Sequence, residues 1–239
     1  MVKPIQFGAG GERDVGYPAT TARVYDSQDA DELVFLDISA SHEGRAFLLD
    51  TLRDVAQNCF VPLTAGGGVR TLSDIKELLS AGADKVSVNS YALENPEFIK
   101  EAAEMFGNQC IIVSIDVRKN AQGNYEVYTE RGTRQTGRDA VEWAREVTRL
   151  GAGEILLTSI DKEGTMAGYD LPLVRAVASA VTIPVIANGG AGNRQHLADV
   201  LESTHTQAVA ASSIFHFSDS NLSQVKSFLF NSGLPVRPI

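Results

Sequence analysis

The sequence predicts a single α/β domain, a (β/α)8 barrel that consists of two half-barrel repeats. Short apolar runs alternate with amphipathic stretches along the 239 residues, as expected of parallel strands covered by helices. Residues 61–68 (VPLTAGGG) align with residues 183–190 (IPVIANGG), at an offset of 122 residues. At the same offset and without a gap, residues 86–90 (VSVNS) align with residues 208–212 (AVAAS). A repeat of this length indicates two fused copies of one series of βα units.

Length and composition agree with one globular domain over residues 1–239, with repeats over about residues 30–115 and 152–235. The 30 acidic residues outnumber the 21 basic ones and no basic cluster occurs, so nucleic acid is not an expected partner. No apolar run approaches the roughly 20 residues of a membrane span, and no signal pattern begins the chain. Two isolated cysteines suit a reducing compartment, and we therefore expect a cytoplasmic enzyme that does not bind membranes.

Seven apolar runs are predicted to form the parallel strands. They are residues 33–38, 61–65, 85–88, 110–115, 154–159, 183–187 and 207–211. Apolar residues at helical spacing predict helices over residues 19–27, 71–80, 96–106 and 139–150. Residues 120–137 are an insert whose alternating polarity predicts a small hairpin, which in a barrel would lie over the catalytic face.

The front of the chain lacks an eighth strand. Residues 1–17 are glycine-rich and are predicted to form a loop that leads into the first helix. A closed barrel needs a strand before Met1, so the N-terminus is shortened or the barrel is seven-stranded or open. Because such a sheet has two unpaired edges, we expect poor solubility or dependence on a partner.

Two glycine-rich turns after equivalent strands predict two phosphate sites that face each other. The first site comprises Gly67, Gly68, Asn89 and Ser90, and the second comprises Gly164, Gly189, Gly190, Ser212 and Ser213. Glycine allows backbone N–H groups to approach an anion closely, although one glycine run alone is equally typical of a tight turn. Two matched sites indicate a small substrate with a phosphate at each end. No residues have the spacing of metal ligands, and neither a metal nor a cofactor is expected.

Acidic residues end two of the predicted strands. Asp116 follows the apolar run 111–115, where a carboxylate points into the barrel mouth and can act as a general acid or base if burial raises its pKa. The alternative is a helix-capping or ion-paired aspartate. Asp37 ends an earlier run in the same way, and it is either a second catalytic acid or a residue that orients its loop.

Three charged residues, Glu32, Lys85 and Glu154, begin predicted strands and therefore lie at the face opposite the active site. They either form ion pairs of small energetic value on the bottom rim or surround a channel that passes through the barrel. The residues alone leave both interpretations open.

Several segments closely resemble the cyclase subunit of imidazole glycerol phosphate synthase. They are LVFLDISAS (33–41), TAGGGVRTLSDIKELLSAGADKVSVNS (64–90), GAGEILLTSIDKEGT (151–165), GYD (168–170) and NGGAG (188–192). The resemblance implies a (β/α)8 barrel that takes ammonia from a glutaminase partner and condenses it with a doubly phosphorylated carboxamide nucleotide. The implied products are imidazole glycerol phosphate and an aminoimidazole carboxamide ribotide.

The same resemblance implies roles for individual residues. Asp116 matches the catalytic aspartate of the fifth strand, and Lys3 matches a flexible-loop lysine that contacts the substrate. Glu32, Lys85 and Glu154 match a charged gate through which ammonia enters the barrel floor, which implies that the glutaminase docks on that face.

The sequence also departs from the family. The first-strand aspartate and the gate arginine have no counterpart, Glu163 stands where histidine-pathway members usually have aspartate, and Met166 follows Thr165. These features resemble a divergent branch that works with an amidotransferase to add acetamidino groups to cell-surface sugars. The alternatives to a cyclase are therefore an ammonia-delivering paralogue of that branch and a phosphosugar isomerase that has no glutaminase partner.

Overall fold

The computed structural model describes residues 1–8, 11–43 and 47–237 of the chain. In these ranges the strands are β1 (Val2–Pro4), β2 (Glu12–Asp14), β3 (Leu33–Leu36), β4 (Leu63–Gly66), β5 (Lys85–Val88), β6 (Ile111–Lys119), β7 (Tyr125–Thr129), β8 (Arg134–Asp139), β9 (Glu154–Ser159), β10 (Val185–Asn188) and β11 (Ala208–Ala210). The helices are α1 (Pro18–Ser27), α2 (Ala40–Glu43), α3 (Leu49–Gln57), α4 (Leu72–Ser80), α5 (Ser90–Glu94), α6 (Glu97–Phe106), α7 (Ala140–Arg149), α8 (Leu171–Ala178), α9 (Arg194–Ser203), α10 (Ser213–Phe217) and α11 (Leu222–Asn231). Short 3-10 turns cover Gln6–Gly8 and Asn108–Cys110.

Seven strands form one parallel sheet in the order β3-β4-β5-β6-β9-β10-β11. The sheet curls into a half-barrel with alternating helices, which confirms the predicted α/β barrel class and its seven strands. β6 is longer than predicted because its far end, from Asp116 to Lys119, pairs antiparallel with β7. β7 pairs in turn with β8, which confirms the predicted hairpin.

Apolar side chains on both faces of the strands form two hydrophobic layers. Residues on the outer face, such as Ala65 and Ile155, pack with the helices in the main core. Ile112, Leu156 and Ile186 form a smaller cluster inside the curve of the sheet. Burial on both faces explains why the strands have continuous apolar sequences instead of alternating ones.

Several helices begin where the sequence provides a capping residue. Thr71 and Asp74 form a reciprocal capping box at the start of α4. The carboxylate of Asp139 accepts hydrogen bonds from two backbone N–H groups at the start of α7, and Asn221 caps α11 with a second capping box. In the ranges that the structure covers, no helix has both the length and the apolar character needed to cross a bilayer.

The front of the chain differs from the predicted loop. Val2–Pro4 and Glu12–Asp14 pair as a short antiparallel ribbon. The backbone N–H of Gln6 donates to the carbonyl of Glu163 at 2.8 Å, and its side-chain amide donates to the carbonyl of Asp161 at 3.1 Å. The ribbon therefore rests on the loop after β9, and such distant contacts leave no local signal in the sequence.

The internal repeat is present in the sheet, but the ungapped alignment is wrong by one residue near its end. Thr64 of β4 pairs with Lys85 of β5, and Ile186 of β10 pairs with Ala208 of β11. The offset is therefore 122 residues from residue 64 to residue 186, but 123 residues from residue 85 to residue 208. The difference arises because α9 has 10 residues where α4 has 9.

The corrected register changes which phosphate-site residues are equivalent. Asn89 corresponds to Ser212, and Ser90 corresponds to Ser213, instead of Ser90 to Ser212. Asn89 and Ser212 each immediately precede a five-residue helix, α5 and α10 respectively. The two halves thus present a polar side chain at the same point of the same βα turn.

Candidate functional site

The half-barrel surrounds a cavity of about 1080 Å³. Asn89, Asp116 and Glu163 line its upper part, at the carboxyl ends of the strands, and Glu32 and Glu154 line its floor. Small-molecule sites typically measure about 300–1,000 Å³, so this cavity can hold a substrate with two phosphate groups.

The strand register places three polar side chains in one row at the top of the cavity. Asp116 lies opposite Thr158, and Thr158 lies opposite Asn188, across β6, β9 and β10. The amide of Asn188 donates to the hydroxyl of Thr158 at 3.1 Å. The amide of Asn89, directly after β5, donates to Oδ2 of Asp116 at 2.7 Å. Polar neighbours from three strands therefore fix the Asp116 carboxyl at the barrel mouth.

Burial raises the pKa of Asp116 to about 7. Hydrogen bonds from Asn89 and Thr158 lower the pKa because they favour the carboxylate, whereas the negative charge of Glu163 raises it. Since burial is the largest of these effects, the carboxyl group can exchange a proton near neutral pH, as general acid–base catalysis requires. Asp116 lies within β6 and not at a helix start, which argues against the capping alternative.

Glu163 is a second buried carboxylate at the mouth, only 4% exposed. It forms an ion pair with Lys3 of β1, whose side chain is also largely buried. This pair connects the N-terminal ribbon to the loop after β9. The ammonium group of Lys3 contacts Glu163, and its side chain lines the cavity, so the expected contact of Lys3 with a substrate stays a prediction.

The three charged residues at the strand beginnings form one ion-pair cluster. Nζ of Lys85 lies 2.9 Å from Oε2 of Glu32 and 2.7 Å from Oε1 of Glu154. Burial alone would lower the pKa of Lys85, but the hydrogen bonds and charges of Glu154 and Glu32 outweigh it, and the pKa is raised. Lys85 therefore stays protonated, and a charged cluster lies at the cavity floor.

Close packing explains why the two predicted turns contain glycine. Gly67 has φ of 119°, and a β-carbon there would overlap the carbonyl oxygen of Asp37. At the equivalent position of the second half, Gly189 has φ of 97°, and a β-carbon would lie 2.8 Å from the carbonyl oxygen of Ser159. Only glycine fits both the backbone conformation and this close approach. The geometry of a tight turn is therefore enough to explain the glycines. Phosphate binding by these turns stays a prediction.

The cavity brings together ten of the predicted site residues. They are Lys3, Glu32, Asp37, Gly67, Gly68, Asn89, Ser90, Asp116, Glu154 and Ser212. The remaining predicted residues, Lys85, Gly164, Gly189, Gly190 and Ser213, are not part of its lining. The carboxylate of Asp37 accepts hydrogen bonds from the backbone N–H groups of Ser39 and Ala40, at the start of α2, so it orients its loop as the structural alternative predicted.

Sequence reasoning missed three polar residues of the mouth. Thr158 and Asn188 were not predicted as site residues, and Glu163 was noted only as a departure from the family. A signal for the first two was available, because both lie at the end of an apolar run, as Asp116 does. Parallel strands bring their carboxyl ends to one edge, so such residues are expected to meet.

Within the part of the chain that the structure describes, no three His, Cys, Asp or Glu side chains converge to hold a metal ion.

In a comparison with known protein families, a family model described as "Histidine biosynthesis protein" matches residues 6–221. The match extends over most of the chain, and it includes every strand of the parallel sheet.

Proposed function

Because this chain belongs to the histidine biosynthesis protein family, whose members are histidine-pathway isomerases and cyclases, we propose that it is the cyclase subunit of imidazole glycerol phosphate synthase. The observation that carries the proposal is the buried Asp116, whose pKa is raised to about 7 at the mouth of the cavity. Ring closure after the addition of ammonia requires proton transfers, and a carboxyl group that titrates near neutral pH can accept and return a proton.

The equivalence of the βα turns in the two halves supports both phosphate-site predictions. The turns after β4 and β10 carry glycines with positive φ, and the turns after β5 and β11 present Asn89 with Ser90 and Ser212 with Ser213. We infer that the substrate lies across the mouth with one phosphate at each pair of turns, so that its reacting centre is held near Asp116.

The floor supports the proposal of ammonia transfer. The Glu32–Lys85–Glu154 cluster lies at the strand beginnings, and Ser87 and Ser114 line the same cavity as Asp116. Ammonia that entered through the floor would pass these hydroxyl groups on its way to Asp116. A glutaminase subunit docked on the floor is the expected source, since that face is nearest to the cluster.

The decisive experiment supplies the carboxamide nucleotide and an ammonium salt to the parent and to Asp116→Asn. We expect Asp116→Asn to lose ~10²–10⁴-fold in turnover, since it removes a proton-transfer group. Asp50→Asn is the matched control, because the Asp50 side chain is 99% exposed and does not line the cavity. Equal activity of Asp116→Asn and the parent would refute the assigned role.

A second experiment tests the proposed ammonia gate at the cavity floor. Glu154→Gln is expected to lower turnover driven by glutamine and a glutaminase partner more than turnover driven by ammonium salt. The reason is that the substitution changes the charge cluster without touching the mouth. Glu101→Gln on the exposed face of α6 is the control. An equal loss with both ammonia sources would contradict a gate at Glu154.

Two residues of the loop after β9 favour a second candidate, the paralogue that delivers ammonia for acetamidino modification of surface sugars. Glu163 and Met166 depart from the pattern of the histidine-pathway members in the way that resembles this branch. Complementation of a histidine auxotroph separates the candidates, because growth without histidine requires cyclase activity. An isomerase that needs no ammonia is a further alternative within the family, and it predicts turnover without any ammonium salt.

A further inference from the structure

The two predicted phosphate sites differ in the residue that lies between the glycine turn and the next helix. Thr71 and Asn193 are the N-cap residues of α4 and α9, at the offset of 122 residues, so Arg70 corresponds to Gly192. Arg70 is exposed and lines the cavity. At Gly192 a β-carbon would overlap the carbonyl oxygen of Met166, so the second half has no room for a side chain there.

Arg70 lies within reach of the predicted first phosphate site. It follows Gly68 by two residues, which span at most about 7 Å. Val69, between them, is 6% exposed and packs in the main core, and the backbone N–H of Arg70 donates to Oδ2 of Asp74 at 2.8 Å. The backbone at Arg70 is therefore held in place, and a side chain as long as that of arginine can reach an anion bound at Gly68.

The side chain of Arg70 is available to bind an anion. Three other cations of the cavity lining form ion pairs with carboxylates: they are Lys3, Lys226 and Arg237. Arg131 also has a partner. Within the described ranges, the guanidinium of Arg70 forms neither an ion pair nor a hydrogen bond. A guanidinium can bind a phosphate through two parallel N–H donors.

The starts of the two helices also differ in charge. At α4 the Asp74 carboxylate accepts the backbone N–H groups of Arg70 and Thr71, each at 2.8 Å, so the positive end of this helix is already compensated. His196 corresponds to Asp74 in the second half, and α9 has no acidic residue in its first turn. The positive end of α9 therefore favours an anion, whereas an anion at the first turn needs a cationic side chain.

We propose that Arg70 binds the phosphate group at the turn after β4 and thereby determines which end of a doubly phosphorylated substrate lies in the first half. Arg70 supplies a charge with directed N–H donors, whereas the turn after β10 offers backbone N–H groups and the start of α9. The two ends of an asymmetric substrate are therefore not interchangeable. The inference rests on the phosphate sites of the proposed function and adds the residue that distinguishes them.

The probe is inorganic phosphate, titrated at constant ionic strength and followed by the NMR shifts of backbone amides. In Arg70→Gln we expect the dissociation constant measured at Gly68 and Ser90 to rise about tenfold, because charge-assisted hydrogen bonds are lost. The constant measured at Gly190 and Ser213 should stay unchanged, which provides a reference within the same molecule. Arg70→Lys keeps the charge but not the paired donors, so its loss should be smaller, about threefold.

The matched control is Arg145→Gln on α7. The Arg145 side chain is 55% exposed, pairs with Glu142 and does not line the cavity. This substitution removes the same charge from the protein, so it should leave both dissociation constants unchanged if the effect of Arg70 is local.

Turnover with the carboxamide nucleotide and an ammonium salt tests the orientation. Arg70→Gln is expected to lower kcat as well as to raise KM, because part of the bound substrate is then reversed and its reacting centre is displaced from Asp116. A parent protein that binds phosphate through Arg70 but has no turnover would refute the enzymatic proposal and support the role of Arg70 in binding.

Three results would overturn the inference. One is a parent protein whose Gly68 and Ser90 amides do not respond to phosphate. Another is Arg70→Gln that binds phosphate at the first turn as tightly as the parent. The third is an equal weakening at both turns, which would indicate a general effect of charge instead of a contact at one site.

Discussion

At the scale of single residues, the proposed chemistry depends on one carboxyl group that the fold removes from water. Asp116 shares the inner side of β6 with Ile112 and Ser114, so little compensates its charge except the hydrogen bonds of Asn89 and Thr158. The same burial that prepares this group for proton transfer also destabilises the folded state when the group is ionised.

The pH dependence of stability should reveal this cost. The pKa of Asp116 is raised to about 7 in the folded state from its ordinary value of 3.8, so between these pH values the folded protein binds a proton that the unfolded chain has lost. The stabilising contribution is fully present below the unfolded pKa, and it is lost as pH rises from about 4 to about 7. Three units correspond to about 4 kcal/mol in the free energy of unfolding as an upper estimate. Urea denaturation at pH 5 and pH 8 should therefore show that Asp116→Asn gains stability relative to the parent at the higher pH. A difference that does not change with pH would contradict the burial argument.

Glu163 should tune the proton affinity of Asp116. Its negative charge raises the pKa of Asp116, so Glu163→Gln is expected to lower that pKa and to move the acidic limb of the pH–rate profile toward lower pH. The carboxyl resonance of Asp116, followed by NMR titration, measures the pKa directly and does not depend on substrate. Glu101→Gln, an exposed substitution of the same kind, should leave the titration unchanged. An upward shift of the Asp116 pKa in Glu163→Gln would contradict the effect assigned to the negative charge of Glu163.

At the scale of the elements, the two halves repeat contacts as well as sequence. The carbonyl of Asp37 packs on Gly67, and the carbonyl of Ser159 packs on Gly189, at the offset of 122 residues in each case. The beginnings of the strands repeat as well. The Asp84 carboxylate accepts the N–H of Leu63 at 2.8 Å, and the Gln207 side chain accepts the N–H of Val185 at 3.1 Å. The second half thus uses a longer amide side chain where the first half uses a carboxylate.

A matched pair of glycine substitutions tests how tightly these loops pack. Gly190 and Gly137 both have positive φ, at 109° and 70°, so alanine is strained at each. A β-carbon at Gly190 would also overlap the carbonyl of Gly168, whereas at Gly137 nothing lies within 4 Å. Gly137→Ala should therefore cost roughly 1 kcal/mol in the free energy of unfolding, and Gly190→Ala should cost at least about 2 kcal/mol. Denaturant titration measures both, and equal costs would show that the loop at Gly190 can relax.

At the scale of the whole molecule, the strands in the described ranges form a curled sheet that they do not close. The edges at β3 and β11 leave the cavity open along one side, and Val34 and Leu36 are among the exposed large apolar residues. Unpaired, apolar edges are typical sites of association between chains.

Association of residues 1–239 should therefore depend on this edge. Val34→Lys is expected to reduce self-association at a given concentration, because an inward-pointing charge disfavours pairing at a strand edge. Light scattering after size-exclusion chromatography measures the effect, and Val24→Lys, at a valine of similar exposure on α1, is the control. A parent protein that is monomeric at high concentration would contradict the expectation.

Much of this architecture could be predicted because it is encoded locally. Apolar runs of four to six residues with helical segments between them predict a parallel sheet, and the seven runs were placed within a few residues of the observed strands. Positions at the ends of strands also predicted that Asp116 and Asn89 lie at one face of the sheet and the floor cluster (Glu32, Lys85 and Glu154) at the opposite face. The reason is that parallel strands bring their carboxyl ends to one face and their amino ends to the other. The antiparallel ribbon at the front was not predicted, because its anchors at Asp161 and Glu163 are distant in sequence.

The sequence by itself determined the barrel class, the repeat, and the residue types that lie at the carboxyl ends of the strands, because these follow from the order and periodicity of apolar residues. Only the tertiary structure decided the proton affinity of Asp116, the pairing of Lys3 with Glu163 and the one-residue shift before β11. These depend on burial, distance and strand register, which arise only when segments far apart in the chain are brought into contact.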